Sequence, residues 1–284
     1  MTSQKIVPKG HQPQLMRSGS AVIRDGMLAG ELRMIADNGV YRRTSMEMDF
    51  GSCGRLVTTS DLHALGSLRT LGHLQRLAID FSYCPKLRDV VNVGDSIRAL
   101  PLLAELSLSF AGCKNLRDAG AFGAGVEQLP RLRRFTCDLS FCSCDFGRDT
   151  NLFGPGITPL PLQHVVLKLR GCSRLRDLSG LANSFRKLTQ LQSLAMDLGS
   201  CGQLHNISTF GSSIQKLPLS QLALDLSNCK DLRDISSLAV GMLKLPLRRL
   251  SLDFSACYQI RGIPMVEASV KKIPSIEYTE ITLP

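Results

Sequence analysis

The chain has 284 residues, of which 44% are hydrophobic and 20% charged, with no Trp and a formal charge of +10. Those proportions exclude an unfolded low-complexity chain, and the lack of an apolar run of about 18 residues excludes a membrane-spanning helix. The excess of 34 basic over 24 acidic residues raises acidic proteins, nucleic acid and anionic membranes as partners, and its placement along the chain has to decide among them.

Residues 1–20, "MTSQKIVPKGHQPQLMRSGS", are polar and rich in Gly, Ser, Pro and Gln, so a disordered N-terminal tail is predicted. This stretch lacks the apolar core of a secretory signal. Residues 21–45 are expected to form an N-terminal capping helix. Leu28, Leu32 and Ile35 fall on one helical face and Asn38-Gly39 supplies a stop. A helix there would cover the open hydrophobic end of a stacked array.

From residue 46 to 284 one pattern keeps returning. It reads "MEMDFGSCGRLVTT" at 46–59, "LAIDFSYCPKLRDV" at 77–90, "LSLSFAGCKNLRDA" at 106–119 and "VVLKLRGCSRLRDL" at 165–178. Further copies are "LAMDLGSCGQLHNI" at 194–207, "LALDLSNCKDLRDI" at 222–235 and "LSLDFSACYQIRGI" at 250–263, with "FTCDLSFC" at 135–142 a looser one. The aligned cysteines are Cys53, Cys84, Cys113, Cys142, Cys172, Cys201, Cys229 and Cys257, and successive differences are 31, 29, 29, 30, 29, 28 and 28. A period of that size marks stacked repeats.

Within a repeat two periodicities alternate. Leu250, Leu252 and Phe254 are apolar at every second position, which predicts a short strand with Ser251, Asp253 and Ser255 facing the other way. After the Cys come x-x-Leu-Arg-Asp and a segment with helical spacing, such as Leu181, Phe185 and Leu188. Asp89, Asp118, Asp177 and Asp234 stand where a carboxylate can accept helix-start N–H groups. Leu-Pro corners at Pro101, Pro130, Pro161, Pro218 and Pro246 end the helices. One strand and one helix per repeat predict a parallel sheet inside, helices outside, right-handed crossovers and a curved horseshoe of eight to nine repeats. "IPSIEYTEITLP", 273–284, aligns with 129–140 and places Ile281 and Leu283 on a ninth strand. An uncovered end there predicts a partner, end-to-end self-association, or a longer array.

The spacing shown by Leu224, Leu226, Cys229, Leu232 and Asp234 resembles the leucine-rich repeat, specifically its cysteine-containing class. The repeat length is nearer that of the ribonuclease-inhibitor class. The resemblance runs from residue 46 to the end, with Arg where the cysteine-containing class often has Thr before the Asp. It implies an α/β leucine-rich-repeat solenoid. Such repeats also resemble the substrate-recognition subunit of SCF-type ubiquitin-ligase complexes, although residues 1–45 offer one helix, too little for the adaptor-docking module of those receptors.

The candidate sites follow from the columns. The cysteine column reads as a buried structural ladder, because free Cys packs as a small hydrophobe and has no recurrent His or carboxylate beside it. Cys137, Cys142 and Cys144 cluster, but fall short of a zinc ligand set. No metal or cofactor is expected. The outward strand face carries Asp49, Asp80, Asp138, Asp197, Asp225 and Asp253, with Ser109 and Lys168 interrupting and Arg170 one outward position beyond Lys168. Two readings stand: a groove for a basic peptide, polyamine or cation, or a solvated polar face. Lys168 and Arg170 can relieve repulsion near Asp138 and Asp197, whereas Asp197, Asp225 and Asp253 show no other basic neighbour along the column. A second column, Arg88, Arg117, Arg148, Arg176, His205, Arg233 and Arg261, reads either as a basic ridge or as a ladder paired with Asp89, Asp118, Asp149, Asp177 and Asp234. The tracking acids favour pairing and lower the standing of nucleic acid, as does the lack of interleaved aromatics. The histidines His11, His63, His73, His164 and His205 occupy unrelated repeat positions, and no catalytic motif is present. The expectation is a non-catalytic protein–protein interaction scaffold, reduced and cytoplasmic, with no membrane role and a protein partner on the concave face.

Overall fold

A computed structural model describes residues 20–24, 44–62, 65, 66, 68–118, 120–143, 152, 153 and 160–284. Ten strands lie side by side in chain order as one open parallel sheet, as a horseshoe requires. They are β1 (Ser20–Arg24), β2 (Ser45–Asp49), β3 (Arg76–Asp80), β4 (Glu105–Ser109), β5 (Arg134–Asp138), β6 (His164–Lys168), β7 (Ser193–Asp197), β8 (Gln221–Asp225), β9 (Arg249–Asp253) and β10 (Tyr278–Thr282). Neighbours pair in register, so equivalent repeat positions form rows: Leu194, Leu222 and Leu250 in one, Asp197, Asp225 and Asp253 in another.

Alternation fixes which row faces inward. In β8, Leu222 and Leu224 are 2% and 3% exposed, while Ala223 and Asp225 remain half-buried on the solvent face. The ladder runs past the strand ends: the Leu226 N–H donates to the Asp253 carbonyl at 2.8 Å and the Asn228 N–H to that of Ser255 at 2.7 Å. The chain then dives inward at the cysteine. The buried thiols of this repeat position donate to a carbonyl of the preceding repeat, Cys229 to Leu198 at 3.2 Å and Cys257 to Leu226 at 3.0 Å. The same bond recurs at Cys84, Cys113, Cys142, Cys172 and Cys201. Thiol donors therefore stitch rungs together where a methyl group could only fill space.

The scarce aromatic residues are concentrated in one file through the core. Phe50, Phe81 and Phe110 stack with centroids 5.2 and 5.4 Å apart, and the file continues through Phe122, Phe135, Phe153 and Phe185 to Phe210. Each such contact adds about 0.5–1.5 kcal/mol beyond its buried area.

The outer layer is made of short helices: α1 (Val91–Ile97), α2 (Gly123–Val126), α3 (Ser179–Phe185), α4 (Ser208–Ile214), α5 (Ser236–Met242) and α6 (Ile263–Lys271). Their starts follow the Asp column with one displacement. The cap positions are apolar, as at Leu178 and Ile235, and the preceding carboxylate accepts instead: Ser179 N–H to Asp177 at 2.7 Å and Ser236 N–H to Asp234 at 2.8 Å. Asp118 accepts from the Gly120 N–H in the same way, whereas Asp89 receives the Thr58 hydroxyl at 3.0 Å. Neighbouring helices approach closely because glycines meet. A Cβ on Gly241 would sit 2.3 Å from the Gly211 carbonyl oxygen.

The N-terminal expectation needs correction at its start. Ser20, placed by sequence at the end of the tail, and residues 21–24, placed at the head of a capping helix, form a strand paired in parallel with β2. Ser45, taken as the end of that helix, opens β2. Residues 25–43, which carry the predicted helical face, and residues 1–19 of the expected tail lie outside the described residues. At the other end β10 contains Ile281, opposite Leu252, while Leu283 falls just beyond the strand and is 44% exposed.

Candidate interaction surface

Each outward Asp is tied into the backbone turn that follows its strand. The Oδ1 atoms of Asp49, Asp80, Asp138, Asp197, Asp225 and Asp253 accept the N–H two residues on, at 2.7–3.0 Å. One residue later the backbone turns left-handed: Ser52, Tyr83, Phe141, Ser200, Asn228 and Ala256 have φ between 57° and 61°. At the rungs without Asp, those of Ser109 and Lys168, the left-handed residue is Gly112 or Gly171. Left-handed backbone costs a residue with a Cβ about 1–2 kcal/mol, and a short acidic side chain bonding its own turn offsets that cost. The Asp column is therefore in large part a turn-forming device, and the exchange of Asp for Gly was the signal in the sequence that could have shown it.

Charge on this face is unevenly distributed. Lys168 Nζ lies 3.6 Å from Asp138, while Arg170 Nε bonds Asp197 at 2.9 Å and its Nη2 bonds Asp225. The hydrogen bond to Asp197, helped by the fields of Asp197, Asp225 and Asp253, raises the Arg170 pKa despite partial burial. This corrects the sequence reading of the C-terminal half, because Arg170 reaches two rungs onward and occupies both Asp197 and Asp225. Asp253, Asp49 and Asp80 form no ion pair among the described residues. Where the strands begin, Glu105 sits between Arg76 and Arg134 at 3.4 and 3.6 Å.

The strand-exit rim carries two features that sequence reasoning missed. Tyr83 and Phe141 are 64% and 53% exposed, although both occupy left-handed positions. Each ring lies over the glycine of the next rung: a Cβ on Gly112 would meet Tyr83 Cδ1 at 2.7 Å, and one on Gly171 would meet Phe141 Cδ1 at 2.6 Å. Gly112 and Gly171 thus serve both the turn and the ring above it. Toward the strand starts on the same face, the outward residues Ala78, Ser107 and Thr136 are small and line a shallow recess with Arg76, Glu105 and Arg134.

The cysteine column is chemically quiet. Among the described residues Cys84, Cys113, Cys137, Cys142, Cys172, Cys201, Cys229 and Cys257 are buried, and Cys53 is partly buried. Desolvation pushes the Cys201 and Cys229 thiols up to about 11 and about 12. No cluster of His, Cys, Asp or Glu able to hold a metal occurs among the described residues, and Cys144 lies outside them.

The arginine column does not pair as its acids suggested. Arg88, Arg117, Arg176, Arg233 and Arg261 are exposed, and none forms an ion pair among the described residues; Arg148 and Asp149 lie outside them. The reason is geometric, since Asp177 and Asp234 are turned toward helix-start N–H groups and Asp118 toward the Gly120 N–H in the turn before its helix. His205 is exposed as well, its Nδ1 3.1 Å from the Gln203 carbonyl.

No protein-family model matches the chain, and no curated protein matches it. Among solved structures it is similar to the crystal structure of the leucine-rich repeat-containing protein LegL7 from Legionella pneumophila, at 13% identity over 89% of each chain with a TM-score of 0.42. No described helix is long and apolar enough to cross a membrane.

Proposed function

We propose that this leucine-rich-repeat solenoid is a non-catalytic scaffold that binds a protein along the solvent face of its sheet, anchored on the strand-exit rim by Tyr83 and Phe141. The observation that carries this reading is the pair of bulky rings held exposed on backbone with φ 58°. Equivalent rungs fill the same turn with Ser, Asn, Ala or Gly, which fit it more cheaply. Large aromatic side chains dominate binding hot spots, and strained backbone concentrates at functional positions. The rings stand two rungs apart, about 10 Å from strand spacing. Asp49 and Asp80, on the rungs leading up to that of Gly112 over which the Tyr83 ring lies, suit a partner that presents Lys or Arg near an apolar residue. In the C-terminal half Arg170 already fills that role for Asp197 and Asp225.

The test compares affinities for a partner captured by the wild type. Tyr83→Asn with Phe141→Asn keeps residues that tolerate the left-handed turn, so the urea midpoint should hold while affinity falls by about tenfold or more. Asp197→Ala/Asp225→Ala/Asp253→Ala should weaken binding much less. Undiminished affinity in the ring variant would overturn the proposal.

A further inference from the structure

On the flank between strand exit and helix start, Arg88, Arg117, Arg176, His205, Arg233 and Arg261 occupy one repeat position and all stand in solvent. Backbone bonds string them into a ladder: His205 N–H donates to the Arg176 carbonyl at 3.0 Å and Arg261 N–H to that of Arg233 at 2.7 Å. Adjacent rungs are thus about 4.8 Å apart. Among the described residues the Arg176 guanidinium bonds Gln203 Oε1, at 3.5 Å. The Asp118 carboxylate accepts the Gly120 N–H and that of Asp234 the Ser236 N–H. Among the described residues neither forms an ion pair with the ladder, although hydrogen bonding from Ser236, helped by the field of Arg261, lowers the Asp234 pKa. Lys86, Lys114, Arg174 and Lys230, exposed a few positions upstream, widen the basic strip. From Arg88 to Arg261 the described members of this column include no apolar side chain.

We infer that this flank binds the phosphate backbone of duplex nucleic acid. Rows of guanidinium forks match phosphate oxygens bidentately, and a stiff backbone ladder fixes the spacing from which they reach. A protein partner would call for an apolar centre, which the column from Arg88 to Arg261 lacks. Single-strand binders need a series of rings for base stacking, whereas the widened strip carries Tyr258 at its C-terminal end and basic residues at the equivalent Lys114 and Lys230. Duplex nucleic acid, with one charge per about 1.7 Å, gains most from counterion release on such a strip. The flank is separate from the strand-exit rings, so each surface can fail without the other.

The experiment follows binding of a labelled mixed-sequence DNA duplex of about 20 base pairs while salt rises from about 50 mM. Wild-type affinity should fall linearly in log–log form, with a slope of about −0.9 for each phosphate engaged. Arg88→Ser/Arg117→Ser/Arg176→Ser/Arg233→Ser should lose about tenfold or more and flatten that slope. Lys216→Ser/Lys244→Ser/Lys271→Ser/Lys272→Ser, which removes the same charge from exposed residues on the helical side, should bind nearly as the wild type. Arg117→Ser/Arg176→Ser replaces the fourfold variant if that one unfolds, with a smaller loss expected. The inference is overturned by absent duplex binding at low salt, by equal losses in the Arg and Lys variants, or by unchanged binding without the arginines. It is also overturned if a polyglutamate peptide binds the ridge as tightly as the duplex, which would make it a docking surface for acidic protein.

Discussion

Asp253→Ala isolates the turn-forming role of the Asp column, because Asp253 forms no ion pair among the described residues and its Oδ1 accepts the Ser255 N–H at 2.8 Å. Removing that charge-assisted bond costs about 1.5 kcal/mol. Loss of screened repulsion from Asp225, its neighbour in register, returns a few tenths, about 0.3 kcal/mol. The net expectation is destabilisation by about 1 kcal/mol. Ala256, with φ 58°, bears the backbone cost of the same turn, so Ala256→Gly should recover about 1 kcal/mol. The double variant then approaches the wild type, reproducing the Asp-less, Gly-containing rungs at Ser109–Gly112 and Lys168–Gly171. Urea unfolding followed by circular dichroism reads these differences as midpoint shifts at constant slope. A neutral Asp253→Ala, or an Ala256→Gly that restores nothing, would refute the link between acid and turn.

Gly171→Ala should cost about 2 kcal/mol, from left-handed backbone plus displacement of the Phe141 ring, and part should return in Phe141→Ser/Gly171→Ala; urea midpoints check both. Arg170→Ala leaves Asp197 and Asp225 facing each other, with an expected loss of about 1 kcal/mol after solvent screening that shrinks as salt is raised. The cysteine ladder predicts alkaline instability. The Cys229 thiol, which ionises near 9.0 when unfolded, is held neutral to about 12 in the fold. Its contribution is therefore complete below the unfolded value and is lost as pH rises from 9.0 toward 12, which a pH series of urea midpoints would show. In native protein at neutral pH the buried thiols should also resist a thiol reagent that labels them fully in denaturant.

Strand register was legible because period-two alternation and the cysteine spacing both point to one alignment, and Leu222, Leu224 and Cys229 are buried where that alignment puts them. The turn was not, since alternation says only that Asp225 faces outward and is silent on the bond its carboxylate makes to Ser227. Left-handed backbone leaves no mark on Tyr83 or Phe141 themselves; only Gly112 and Gly171 betray it. Arg–Asp ion pairs do not form between the described column members because adjacency in sequence ignores competition: backbone N–H groups of Gly120 and Ser236 engage Asp118 and Asp234, and only the field of Arg261 from the next repeat reaches Asp234. Arg170 reaches two rungs because the register places Asp197 and Asp225 successively beside it, which no single repeat displays. The strand at Ser20–Arg24 escaped notice because no Cys-x-x-Leu follows it to mark a repeat.

The most direct test of the scaffold account is site-specific photo-crosslinking of the captured partner, with benzoylphenylalanine replacing either Tyr83 on the strand-exit rim or Val240, which is 45% exposed on α5. Crosslinks from position 83 and none from position 240 are predicted. Crosslinks from 240 alone would place the partner on the helical side and contradict it.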